Sequence, residues 1–256
     1  MYRVLESYIL LFFVSAIQGW LMEVTCKLIQ FHRFINRGFL IGPYCPIYGF
    51  GAVLVTALLS RYSASPVLVF IMAMVVCGTL EYLTSYLMEK LFHARWWDYS
   101  QKRFNLNGRV CADTLIPFGL LGLVMIYLIK PFLFGLFDRI PGPWLDGICI
   151  GLCVLLVVDT VVSTTVFGKI RHTANLSQGD DTEAITHAVR QRLAQDSALA
   201  RRALHAFPYA KIYNTDLQAK LRQRKAQLQQ ELKDKKAALR QDLERLDQEI
   251  KARRQK

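Results

Sequence analysis

Five stretches of the chain approach the length of a bilayer-spanning helix: Tyr8 to Ile29, Tyr44 to Tyr62, Pro66 to Met88, Cys111 to Ile129 and Trp144 to Phe167. Crossing the hydrocarbon core takes about 20 predominantly apolar residues in helical form. The second stretch is the irregular one, because Pro46, Gly49 and Gly51 interrupt its first half. It reads either as a full span with a loose glycine-rich start or as a half-helix that dips in and returns. Cation placement decides between them, since cytoplasmic loops of membrane proteins concentrate Lys and Arg. With five spans, one side receives Lys27, Arg33, Arg37, Lys90, Arg95, Lys102, Arg103, Arg109 and the basic tail. The other side receives only Arg3, Arg61, Lys130 and Arg139. A returning second segment would strand the cations of residues 95–109 outside. The pattern therefore predicts an all-α, polytopic membrane protein of about five spans, with the N-terminus outside and the C-terminus in the cytoplasm. No small-residue cleavage site follows the first apolar run, which is read as a retained span.

Past Lys169 the pattern changes, giving three regions: a transmembrane domain over 1–168, a helical linker over 169–214 and a basic helix over 215–256. In the linker, Asp180 or Asp181 can cap a helix carrying Ile185, Val189 and Leu193, and a short helix is expected from Ser197 to Ala206. In the last region the apolar positions are Leu217, Leu221, Leu228, Leu232, Leu239, Leu243 and Ile250, an alternation of 4 and 7 residues. An 11-residue repeat keeps one apolar stripe nearly straight along a helix. The stripe is narrow and flanked by charges of both signs, which favours pairing with a copy or a helical partner over lying on anionic lipid. Nucleic acid is disfavoured as a partner, because Glu and Asp are mixed among the cations and no aromatic is present.

Composition sharpens this picture. An apolar fraction of 53% and a mean hydropathy of +0.22 exclude an ordinary soluble domain. Residues 1–168 hold 12 Lys and Arg against 9 Asp and Glu, leaving 20 against 11 for the remainder, so most of the net charge of +12 resides in the tail. The six cysteines all lie in or beside apolar segments without C-x-x-C spacing, and they read as small hydrophobes rather than disulfides or metal ligands.

Candidate chemistry gathers at one face. Ionisable residues inside spans cost about 2.5–3.5 kcal/mol each at the centre on insertion scales, so they point to function. Glu23, Glu81 and Asp113 fall toward the cytoplasmic half, near Arg37, Arg95 and Arg109. Asp159 lies deep in the last span, where neighbouring Ser163 and threonines can satisfy it. Between the third and fourth spans the stretch RWWDYSQKRFNLNGR joins aromatic and polar residues. Interfacial anchoring accounts for Trp96, Trp97 and Tyr99, but not for Asp98, Asn105 and Asn107. Asn107-Gly108 is a strong turn signal, predicting a structured, hairpin-like loop.

A second dense stretch, NRGFLIGPYCPIYGFG, places Asn36, Arg37, Tyr44 and Tyr48 on a tightly turned backbone. The expected lining of a polar vestibule is therefore Asn36, Arg37, Tyr44, Tyr48, Glu81, Trp96, Trp97, Asp98, Tyr99, Asn105, Asn107, Arg109 and Asp113. No phosphate-binding loop, metalloprotease helix or nucleophile elbow occurs, and the five histidines lack ligand spacing. The expectation is a non-enzyme without cofactor or metal.

NRGFLIGPYCPIYGFG, EYLTSYLMEKLF-x-ARWWDYS and FNLNGRVC, in this order and separation, resemble the bacterial ABC-transporter permease family called type IV. The resemblance runs from about Gly19 to Ile129. Family members carry Cys-Leu-Glu after the Gly-Arg turn, where this chain has Cys111-Ala112-Asp113. The resemblance implies a membrane subunit of a transporter in the bacterial inner membrane, served by an ATPase on a separate chain. Two readings compete with it: a membrane-embedded enzyme acting on lipid-linked substrates, and a scaffold working through its tail.

Overall fold

A computed structural model describes residues 2–32, 34–36, 38–92, 94–176, 199, 201, 202, 206, 211, 212, 224 and 227–236. Its helices are α1 (Tyr2–Phe31), α2 (Pro46–Leu59), α3 (Pro66–Phe92), α4 (Ala112–Val124), α5 (Lys130–Phe137) and α6 (Gly142–Leu176). A π-type turn, Met125–Ile129, joins α4 to α5 without breaking the rod. Among the described residues four helical segments are long and apolar enough to cross a membrane: Tyr2–Gln30, Pro66–Phe92, Ala112–Phe137 and Gly142–Gly168.

The second apolar stretch is not a full-length helix. Its 14 helical residues span about 21 Å at 1.5 Å per residue, short of the roughly 30 Å hydrocarbon core. Proline at its first position and glycines at 38 and 42 leave the preceding backbone non-helical. That segment folds back along α1 until the Cys45 amide donates to the Ala16 carbonyl at 2.9 Å. From there α2 runs antiparallel to α1 toward the end where α1 begins: Gly49 abuts Phe12, and buried Leu59 joins the core shared by Leu11, Phe137 and Leu145. The stretch therefore does not return to the side it came from.

Contacts fix the two ends of the bundle. At one end Arg3 donates to the carbonyls of Asp138 and Ile140, both at 2.8 Å, and Lys130 donates to Ser60 at 2.8 Å. At the other, Phe39, Phe92, Trp96 and Phe167 form an aromatic cluster, with Phe39 stacked on Phe167 at 4.6 Å and Trp96 edge-on to it at 4.8 Å. The first residues of α1 and the Phe167 turn of α6 thus sit at opposite ends.

The loop between α3 and α4 is folded, as the Asn-Gly signal predicts. Strands β2 (Asn105–Leu106) and β3 (Val110–Cys111) pair antiparallel. The turn between them has positive φ at Asn107 (53°) and Gly108 (68°), and the Arg109 amide closes it on the Leu106 carbonyl at 3.0 Å. Asparagine and glycine are the residues that adopt this left-handed backbone most readily.

Described residues of the tail return to the bundle. Strand β1 (Ala94–Arg95) pairs antiparallel with β4 (Lys211–Ile212), and Arg202 donates to the Leu40 carbonyl at 2.6 Å. The linker helix expected after Asp180 and most of the 11-residue repeat lie outside the described residues. Within the repeat, residues 227–236 are helical, with Leu228 and Leu232 exposed. All six cysteines are free thiols; Cys45, Cys111 and Cys149 are buried, whereas Cys26 is exposed on α1.

Candidate functional site

Helical spacing places cavity-facing residues in rows. On α1 these are Ser15, Gln18, Gly19, Met22 and Glu23; on α3, Cys77, Leu80, Glu81, Thr84 and Met88; on α4 and the turn after it, Phe118, Leu121, Gly122, Met125 and Ile129. The offsets of 3, 4, 7 and 11 residues are those of one helix face. Together with α2 and the loop at Trp96–Tyr99, these faces line a cavity of about 590 Å³, within the range of small-molecule sites.

Its polar groups collect toward the end carrying the aromatic cluster. Tyr48 crosses from α2 to α1: its ring lies over Gly19, where a Cβ would collide with it, and its hydroxyl donates to Glu23 at 2.9 Å. Tyr99 reaches back from the loop to donate to Glu81 at 3.2 Å, and Thr114 Oγ1 lies 3.2 Å from the other carboxylate oxygen. Burial first, and the neighbouring Glu81 next, push the Tyr99 phenol above its ordinary range, so it stays a proton donor. Glu81 is only 7% exposed. The opposite end, around Val55, Leu121, Met125 and Ile129, is apolar.

Behind the cavity Arg95 and Arg109 of the loop are absorbed in a network that faces away from it. Glu89 accepts from Arg109 at 2.9 Å and from Arg95 at 3.3 Å. Arg95 also meets Asp98 at 3.3 Å and the Asn107 carbonyl at 3.0 Å. Arg109 donates to Ser85 at 3.2 Å and lies over the rings of Tyr82 and Tyr86. The Trp97 indole donates to the Arg109 carbonyl at 3.1 Å.

Of the thirteen residues expected to line a vestibule, the structure brings Tyr48, Glu81, Trp96, Trp97 and Tyr99 to the cavity wall. Asn105, Asn107, Asp98 and Arg109 build the loop instead: Asn105 accepts from the Gly108 amide and donates to the Lys102 carbonyl, Asn107 donates to Tyr82, and Asp98 accepts from the Ser100 amide. Asn36 accepts from the Trp20 indole at 2.7 Å. Tyr44 is buried against α6, where its hydroxyl donates to Asp159 at 2.6 Å. Asp113 is exposed and pairs with Lys102 at 3.1 Å, apart from Glu81. Arg37 lies outside the described residues.

Sequence reading missed Glu89 as the acceptor of both arginines. It also sought local partners for Asp159. Ser163 is one, at 2.9 Å, but the Ile41 and Gly42 amides, each at 2.8 Å, come from the segment before α2.

A bundle of apolar helices, with one buried and one half-buried carboxylate facing an interior cavity and a folded polar loop over one end, defines a multi-pass membrane protein built around an internal site. The profile of the family described as "Putative ABC-transporter type IV" matches residues 10–164, more than half of the chain, and the protein belongs to that family. No curated protein and no solved structure matches the chain.

Proposed function

We propose that the protein is the permease-like membrane subunit of a bacterial transporter that works with a separate ATPase chain. In this reading it sits in the cytoplasmic membrane with the N-terminus of α1 outside and the tail inside. The carrying observation is the cavity itself: a buried carboxylate, Glu81, faces a cavity between helices at a cost in lipid that a purely structural bundle would avoid. Family membership supports the pairing with an ATPase, since the chain contains no phosphate-binding loop of its own. The cation asymmetry supports the orientation, with the loop of residues 93–111 on the cytoplasmic side. The leucine row of the tail is read as an association helix for a second copy or a helical partner.

One observation favours a second reading. Glu23 and Glu81 line the same cavity, as paired carboxylates would in an enzyme acting on lipid-linked substrates. Purification of the tagged full-length chain in mild detergent separates the two. The transporter reading expects an ATP-hydrolysing chain to co-purify, with hydrolysis altered by Glu81→Gln. Chemical turnover of a lipid-linked substrate by the chain alone would replace it with the enzyme reading.

A further inference from the structure

The cavity is divided by polarity along its length and opens sideways. At its edge Gln18 is exposed, while Met22 and Leu121 are 39% and 41% exposed on the flank of the bundle. In a bilayer that flank faces acyl chains, so a ligand reaches the cavity most directly from the lipid.

The wall also specifies charge. Among the described residues no Lys, Arg or His lines the cavity. The hydrogen-bond partners of Glu81, Tyr99 and Thr114, are neutral hydroxyls. A carboxylate at that depth gains most from a cation that also donates hydrogen bonds. An independent observation points to a ligand: the Ser15 hydroxyl lines the cavity, is 5% exposed and has no hydrogen-bond partner. Buried hydroxyls are ordinarily satisfied, so this one is free to pair with a polar group that a ligand carries. From Phe118 to Ile129 the apolar wall of α4 and its turn extends about 16 Å at 1.5 Å per residue, long enough for one extended alkyl chain.

We propose that the cavity binds a single-chain amphiphile with a protonated amine head, the ammonium on Glu81 and the alkyl chain along Val55, Leu121, Met125 and Ile129. As the substrate class of the transporter, this rests on the function proposed above. As a binding site it is tested separately. A phosphate- or carboxylate-headed chain would bring its charge against Glu23 and Glu81 and is rejected.

The full-length protein, with Trp20 and Trp144 changed to Phe so that Trp96 and Trp97 report on the cavity, is placed in zwitterionic nanodiscs. It is titrated with dodecylamine, dodecanol and dodecanoate, each brominated beside the head so that bound ligand quenches the indoles. The expected order is amine, then alcohol, then carboxylate, with the amine favoured at least tenfold over the alcohol. Glu81→Gln should remove the amine preference, and Leu121→Trp should weaken amine and alcohol together by crowding the chain. Equal quenching by amine and alcohol in the parent protein, or an amine preference that survives Glu81→Gln, would overturn the assignment. Amine binding without a co-purifying ATPase would remove the transporter reading and leave the site standing. An ATPase partner without amine preference would do the reverse.

Discussion

Tyr44 and Asp159, 115 positions apart, meet at 2.6 Å, phenol to carboxylate. Three more donors converge on the same carboxylate: the Ile41 and Gly42 amides and the Ser163 hydroxyl. One acidic residue of α6 therefore holds the non-helical segment that launches α2. Asp159→Asn turns an amide donor toward donors, and it should destabilise the protein in detergent by about 3 kcal/mol, whereas Tyr44→Phe should cost about 1. Thermal unfolding of the two variants and of the double mutant measures the coupling. A loss no larger than that of Thr160→Val, on an exposed position of the same helix, would show that the segment is held by other contacts.

Glu89 is the acceptor on which Arg95 and Arg109 of the loop depend. The Arg109 side chain is 11% exposed, so Glu89→Gln leaves a nearly buried guanidinium without its charge partner, at a cost of about 3 kcal/mol. Lys102 and Asp113 are 59% and 65% exposed, and Asp113→Asn should cost under about 1 kcal/mol. Tryptic cleavage at Lys102 and Arg103, followed in inside-out vesicles, checks both: accelerated in the first variant, unchanged in the second.

The relation between α2 and its neighbours predicts the sidedness of the loops. In a background cleared of native thiols, cysteines at Ser63 and Pro141 should react with an impermeant reagent from outside intact cells. A cysteine at Ser100 should react only after permeabilisation. External reaction at Ser100 would reverse the proposed orientation of the whole bundle.

The helix over residues 227–236 exposes Leu228 and Leu232 on the apolar row. A peptide of residues 215–256 should be partly helical, since its length exceeds the roughly 15 residues below which isolated helices are marginal. Its circular dichroism should strengthen with concentration, and Leu232→Asp should abolish that dependence. Helix induced solely by anionic vesicles would assign the row to the membrane surface instead.

Long apolar runs made the spanning helices legible in the sequence, because hydropathy is a property of each segment alone. Pro46, Gly49 and Gly51 likewise marked the irregular second stretch, and Asn107-Gly108 marked the hairpin. What one segment contributes to another was harder to read. The contact of Tyr99 with Glu81 requires the loop to fold back over α3, and nothing in the spacing of the two residues shows that. Asp113 was grouped with Glu81 by depth; its neighbour Thr114 is the residue that turns inward. The rows on α1, α3 and α4 have helical periodicity, but those helices are apolar almost all round, so the faces that meet emerge only from the packed bundle. Glu23 and Ser15 join the cavity for the same reason.

The pairing of β1 with β4 sets Lys211 opposite Arg95, immediately before Trp96 and four residues before Tyr99. The tail is thus spliced by backbone pairing to the stretch whose indole and phenol groups wall the cavity. The most heavily charged part of the chain is fastened beside the polar end of its internal site.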